Sequence, residues 1–159
     1  MPVENVHFSN VLTLSGYIRT DGWSDWGPIR LISRKDIQHF ADLTNNHQWI
    51  HEDDSRCAVE SPYGELIAHG VLLVSLMPSL LPEESFRVVG HAVRIIRAID
   101  ALRLPAPVFP GNSVHTRVRL LKVYHAQSGK GVVIERQVEV WSLCGTKPAV
   151  VCVLKMQYF

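Results

Sequence analysis

A single apolar segment, Ile67 to Leu81, stands before four strand-like segments, and that order constrains the fold more than any other feature. The segment contains His69, Ser75, Pro78 and Ser79 and is too short for a membrane span, so it reads as a buried core helix over roughly 66–81. Pro82 ends it, and Pro78 should kink or tighten its last turns. Residues 87–104, 113–124, 131–143 and 149–159 are rich in Val, Ile, Leu and Arg. Val114 to Leu120 and Val138 to Trp141 largely alternate with period two, as half-buried strands do. Turn signals at Pro110-Gly111-Asn112, Gln127 to Gly131 and Cys144 to Pro148 separate them. Four strands with hairpin links predict an antiparallel meander. One apolar helix against such a sheet gives an α+β fold, with the helix on one sheet face.

The first part of the chain is less regular. Val11 to Leu14 fits a short strand or a helix turn. Trp23 and Trp26 are expected at the core edge, and Ile29 to Ile32 alternates like a short strand. Ser33 is a good N-cap, with Asp36 three residues on and Ile37, Phe40, Ala41 and Thr44 at helical spacing. A helix over 34–44 follows, stopped by Asn45-Asn46, because asparagine tolerates the left-handed conformation. Residues 46–64 read as an irregular link, with Asp53-Asp54-Ser55 capping a short helix over 55–60 and a turn at Ser61 to Gly64.

Size and composition set outer bounds. At 159 residues the chain is expected to form one domain, 1–159, able to bury a core without disulfides or metals. Hydrophobic residues make up 47% and charged residues 19%, which excludes a disordered chain. The net charge is +1 with no basic block, so no nucleic-acid partner is expected, and no membrane association either. Cys57, Cys144 and Cys152 are scattered and odd in number, which favours a reduced, cytoplasmic setting. The N-terminal MPVENVHFSN is too polar for a signal peptide.

The chemistry concentrates between Phe40 and Leu80. A polar cluster (Thr44, Asn45, Asn46, His47, Gln48, His51) precedes the apolar segment, which opens with Ala68-His69-Gly70. Backbone N–H groups at a helix start are unpaired and aligned with the helix dipole. They suit an enolate oxygen developing on a carbonyl, and Gly70 allows close approach because it has no side chain. His47 and His51 stand four apart, a spacing that suits two metal ligands on one helix face. The segment reads as irregular, however, and Gln48 replaces the glutamate of a metalloprotease, so no metal is expected. Ser75 and Cys57 lack a nucleophile-elbow setting, and no Walker or Rossmann glycine loop is present.

Phe40-Ala41-x-x-Thr44, His47-Gln48-Trp49-Ile50-His51 and Ile67-Ala68-His69-Gly70 together resemble the MaoC-like hydratases. The closer likeness is to the nodulation-protein-N-like branch, where Gly-Asp-His-Gln-Trp-Ile-His is usual. Asp100 to Val108 followed by Pro110-Gly111 is similar to the family's Arg-Phe-x-x-Pro-Val-x-x-Gly segment. The resemblance covers roughly residues 30–159. It implies the hot-dog fold, an antiparallel sheet wrapped around a central apolar helix, which composition alone does not select.

The resemblance also implies an (R)-specific enoyl thioester hydratase or dehydratase. Its substrate would be an acyl-CoA or acyl-carrier-protein thioester. No cofactor is implied beyond the coenzyme A or phosphopantetheine that belongs to the substrate. Family members pair an aspartate with a histidine five positions later. His51 matches the histidine, while Asn46 stands at the aspartate position and Asn45 at the preceding glycine. Hydration needs a group that takes a proton from water, and an amide cannot do so. His51 must then act nearly alone, or with Asp42, Glu52 or Asp53. Asp100 stands where related sequences often carry asparagine, so an exchange of acid and amide with Asn46 is a further expectation. Trp49 is expected in the acyl pocket, and His47 in an outer position. Arg87, Arg94, Arg97 and Arg103 read as a solvated strand face, from which one or two would meet phosphates. The altered dyad leaves room for a double-bond isomerase, a cyclase, a thioesterase or a degenerate binding subunit on the same fold. A homodimer with a sheet extended across two chains is expected from the resemblance.

Overall fold

The computed structural model describes residues 3–18 and 22–159. Residues 1–2 and 19–21 of the expected 1–159 domain lie outside the described residues.

The elements follow in chain order. Strand β1 (Glu4–His7) leads into helix α1 (Val11–Ser15), capped by the Asn10 side chain. Strand β2 (Arg30–Leu31) precedes α2 (Arg34–Thr44). The bounds of α2 are those the sequence predicts, because the local signals agree. Ser33 and Asp36 form a reciprocal capping box, and Asn45 takes a left-handed φ of 51° at the other end. A 3₁₀ turn (Trp49–His51) and α3 (Asp54–Glu60), capped by Asp53, fill the link expected to be irregular. Ser61 to Gly64 forms the expected turn, closed by a Gly64 N–H bond to Ser61 at 3.0 Å.

The central helix is shorter than expected. Helix α4 (Gly70–Leu76) continues as a 3₁₀ turn (Met77–Leu80) around Pro78. Residues 66–69 are extended, not helical. The N–H groups of Ile67 and Ala68 bond to the carbonyls of Ile50 (3.2 Å) and Val108 (2.7 Å), so tertiary partners replace helical ones. Leu72, Leu73, Val74, Met77 and Leu80 are buried against the sheet, each worth about 1.5–3 kcal/mol of transfer free energy.

The C-terminal half is sheet. Strand β3 (Phe86–Val89) pairs in parallel with β1, a two-stranded sheet the alternation pattern does not reveal. Gly90, with φ of 81°, separates it from β4 (Arg94–Arg103), so the segment 87–104 is two strands rather than one. β5 (Ser113–His125), β6 (Val132–Ser142) and β7 (Pro148–Tyr158) form the expected meander, with antiparallel hairpin pairing throughout. β4 departs from it. The five-stranded order is β2-β5-β6-β7-β4, so β4 pairs with β7 and not with β5. The connection from β4 to β5 carries Pro105, Pro107 and Pro110 and is unsuited to a hairpin. It crosses past the start of α4, where Val108 accepts the Ala68 N–H.

Even-numbered β7 residues Cys152, Leu154 and Met156 are buried with the helix; Cys152 Sγ lies 3.6 Å from Met77 Sδ. The curled antiparallel sheet around one apolar helix is a hot-dog fold. Its β5 side is covered by residues 24–31, through bonds of Ser24 to Val118 and Gly27 to Thr116 (both 2.8 Å) and through β2. Trp26 on this strap and Trp23 just before it pack over the Arg117 guanidinium, 5.1 and 4.5 Å from it, along the sheet edge. β4 forms the other edge. It carries bulges near Ile96–Ala98 and Asp100–Arg103, and Ala101 has φ of 50°.

Candidate active site

Three local structures bring the site together. The left-handed end of α2 turns the chain so that Asn46 follows it, its N–H bonded to Ala41 at 3.0 Å. The 3₁₀ turn then lifts His51 toward the extended Ile67–His69 segment. That segment feeds α4 with His69 at the N-cap position.

His51 is half-buried, and its Nδ1 lies 2.8 Å from the Ile67 carbonyl oxygen. A carbonyl only accepts, so Nδ1 carries the hydrogen and Nε2 is the nitrogen with a free lone pair. Burial pushes the His51 pKa below the ordinary imidazole value. The Ile67 bond works against that shift, nearby His69 adds to it, and the Glu52 charge opposes it. The outcome is a neutral ring with a basic nitrogen near neutral pH. The His51 ring also stacks on His69, with centroids 3.7 Å apart and planes inclined by 27°. His69 is 2% exposed, and its Nε2 lies 3.1 Å from the Asn46 backbone oxygen.

A cavity of about 210 Å³ opens beside this cluster. Its walls include Tyr63, Ile67, Ala68, Gly70, Leu104 and Val108. Gly70 is packed closely there: a Cβ at this position would come 2.5 Å from Leu104 Cδ1. Larger open hollows lie elsewhere. One of about 380 Å³ at the far end of the central helix contains Arg136, already paired with Glu84. Chemistry, not volume, selects the cavity at Gly70, because Ile67 joins it to His51.

The structure therefore gathers His51, Ala68, His69 and Gly70, and brings Asn46 to them through its backbone carbonyl, with Asn46 itself exposed. It leaves the other expected residues apart. His47 is exposed and pairs with Glu52 at 2.8 Å and with Asp42 at 4.0 Å, and the Glu52 hydrogen bond raises its pKa. Glu52 also accepts from Gln38, and Asp53 is occupied in capping α3. Asp42, Glu52 and Asp53 are thus all engaged in surface or capping bonds. Trp49 packs under the Arg56 guanidinium, 4.4 Å from the ring, and is not part of the cavity wall. Asp100 bonds Lys155 at 2.7 Å on the sheet face opposite the central helix, beside Glu135. An acid–amide exchange with Asn46 gains no support from that placement. Arg97 bonds Gln157 across the β4–β7 pair. Among the described residues no cluster of three His, Cys, Asp or Glu side chains could hold a metal.

The sequence does not reveal the Ile67 carbonyl as the group that sets the His51 tautomer, since every residue has a carbonyl. Leu104 and the prolines after it form a cavity wall. The likeness of this stretch to the family's Pro-Val segment marks it in the sequence but does not reveal that it walls a cavity.

The signature of the MaoC like domain matches residues 17–141. The chain belongs to the MaoC-like domain family. Among curated MaoC-like relatives, 3-hydroxyacyl-thioester dehydratase Z of Mycobacterium tuberculosis is 36% identical over 108 residues, 68% of each chain. Nodulation protein N of Rhizobium meliloti is 34% identical over 115 residues, 72% of this chain and 68% of the relative. Among solved structures, a monoamine oxidase regulatory protein from Archaeoglobus superposes with a TM-score of 0.71 at 19% identity. It covers 99% of this chain and 98% of its own. An (R)-hydratase from A. caviae involved in PHA biosynthesis gives 0.66 at 18% identity, over 87% and 98% of the two chains. These likenesses agree with the hot-dog fold seen here.

Proposed function

We propose that this MaoC-like chain is a hydratase/dehydratase of acyl thioesters, adding water reversibly across a 2-enoyl thioester. The observation that carries the reading is the His51 tautomer. Nδ1–H is held by Ile67, so Nε2 keeps its lone pair, and Ile67 itself lines a cavity that begins at the start of the central helix. In the forward direction Nε2 takes a proton from water as its oxygen bonds to the β-carbon. The electron pair of the double bond moves to the α-carbon and the thioester oxygen. The backbone N–H of Gly70, at the start of the central helix, holds that oxygen, and the imidazolium returns its proton to the α-carbon. Asn46, as an amide, orients the water or the thioester and accepts no proton. Related proteins named as 3-hydroxyacyl-thioester dehydratase and (R)-hydratase support the reaction class.

The direct test follows loss of conjugation when the pure protein meets crotonyl-CoA and longer enoyl thioesters, on coenzyme A or carrier protein. Turnover is expected, and His51→Ala should lower kcat by about 10²–10⁴-fold. No turnover on any thioester defeats the reading.

Asn46 favours a second reading, an enoyl thioester isomerase. Holding the enolate while moving a proton between α and γ carbons needs one base and no activated water. Mass spectrometry separates the two, since hydration adds the mass of water and isomerisation changes no mass.

The reading includes a homodimer. β4 leaves its outer backbone groups unpaired and exposes Ile95, Ile96 and Leu102, while the strap of residues 24–31 covers the opposite edge. Pairing of β4 with a second copy would extend the sheet. Sedimentation at micromolar concentration should give a dimer; a stable monomer refutes it. A cytoplasmic home fits three cysteines carried as free thiols and belongs to the same reading. No helix among the described residues is long and apolar enough to cross a membrane.

A further inference from the structure

The proposed reaction makes no use of the His69 side chain, yet that side chain is held on three sides. Its ring is 2% exposed and stacks on His51. Phe40 of α2 stands 5.2 Å away at a tilt of 58°. Nε2 donates its hydrogen to the Asn46 carbonyl at 3.1 Å, and Nδ1 is buried with no partner. An apolar side chain would fill the same space without a buried nitrogen left unpaired. Keeping an imidazole there is a cost that packing does not explain.

We propose that His69 is a positioning residue that holds the His51 ring in its working orientation, anchored on the backbone carbonyl of Asn46. The catalytic meaning of this inference rests on the hydratase reading of His51, but its structural content does not. The His51 ring is fixed at two places. Ile67 holds Nδ1 in the plane of the ring. A single hydrogen bond leaves a ring free to pivot about it, and the stacked His69 plane removes that freedom. The anchor of His69 is a main-chain oxygen, which any residue at position 46 supplies. Orientation of the base is thereby separated from the side chain at 46, so an amide there costs the site its acid but not the placement of His51. Asn46 is left free to meet water or the thioester.

The inference is tested by nitrogen NMR of the His51 ring, in the full chain without substrate and above the ordinary imidazole titration range, together with steady-state kinetics. Wild type should show one fixed tautomer with hydrogen on Nδ1. His69→Leu should give averaged or broadened His51 ring signals. Where there is turnover, its kcat should fall about 10- to 100-fold with KM nearly unchanged, because the base is displaced and the cavity is not. His69→Phe restores the stacked plane and should recover sharp His51 signals, which also covers the case in which His69→Leu fails to fold. Asn46→Ala keeps the carbonyl and should leave the His51 signals as in wild type. Mixed tautomers in wild type, unchanged signals in a folded His69→Leu, or loss of the fixed tautomer in Asn46→Ala would each overturn the proposal. Absence of turnover on every thioester defeats the hydratase reading instead, and the NMR result still decides this one.

Discussion

The rings of His51 and His69 lie face to face, 3.7 Å apart, although the two residues belong to different elements and approach from opposite ends of an irregular link. The contact joins the polar half of the site to the start of the central helix. His69 also opposes a charge on His51, alongside the burial that keeps the ring neutral.

That neutrality sets a pH dependence. Burial holds the folded-state pKa of His51 below its ordinary 6.5, so the base form persists into mildly acidic solution. The acid limb of kcat/KM for hydration should have its midpoint below 6.5, with a plateau through neutral pH. The same shift affects stability. The unfolded chain binds this proton more readily, so the contribution of His51 is complete above 6.5 and is lost as pH falls through the folded-state pKa. A midpoint above 6.5 in the rate profile would contradict the assignment of His51 as the buried base.

Gly70→Ala separates activity from folding. The new Cβ would sit 2.5 Å from Leu104 Cδ1, and Leu104 is 46% exposed and free to swing aside. Little change in thermal midpoint is expected, since Gly70 is the first residue of α4 and its φ does not need glycine. The added methyl enters the cavity where the thioester oxygen would lie, so kcat should drop by about 10²-fold or more. Retained activity with a normal melting curve would remove the helix start from the mechanism.

Asn46→Asp restores a carboxylate at the end of α2. If water activation is what the amide lacks, hydration of a 2-enoyl thioester should rise by about tenfold or more in kcat. The added negative charge should also move the acid limb of the rate profile upward, because it favours the imidazolium. An unchanged hydration rate would shift the weight to the isomerase reading.

Arg136 of β6 and Glu84, in the link between the central helix and β3, form a largely buried ion pair. The Arg136 side chain is 4% exposed, bonds both Glu84 oxygens at 2.7 to 3.1 Å, and also bonds the Tyr158 hydroxyl. Glu84→Gln leaves a buried guanidinium without its counter-charge. Urea denaturation should show a loss of about 3–5 kcal/mol. A loss below about 1 kcal/mol would mean the pair is solvated in solution.

The local elements were legible because their signals are local. Ser33 with Asp36, Asn45 and Asp53 name the ends of α2 and the start of α3, since each cap is a bond between near neighbours. The alternation in Val114 to Leu120 of β5 and Val138 to Trp141 of β6 shows which residues there face the helix, because strand side chains alternate by geometry. Motif order was enough to select the hot-dog fold and to single out His51, Asn46 and Gly70. Pairings set by distant segments were not legible. The start of α4 moved from 66 to 70 because carbonyls of Ile50 and Val108 claim the preceding N–H groups. β4 went to β7 because the proline-rich crossing permits no hairpin to β5.

The sequence by itself determined most of the local elements, the sheet-and-helix class and the histidine proposed as the base. Only the tertiary structure decided the tautomer of that base, its stacked partner and the separation of Asp100 from the site. Side-chain identity is written residue by residue. The groups that orient His51 are the Ile67 and Asn46 carbonyls, present at every position, and folding alone selects which of them a ring will meet.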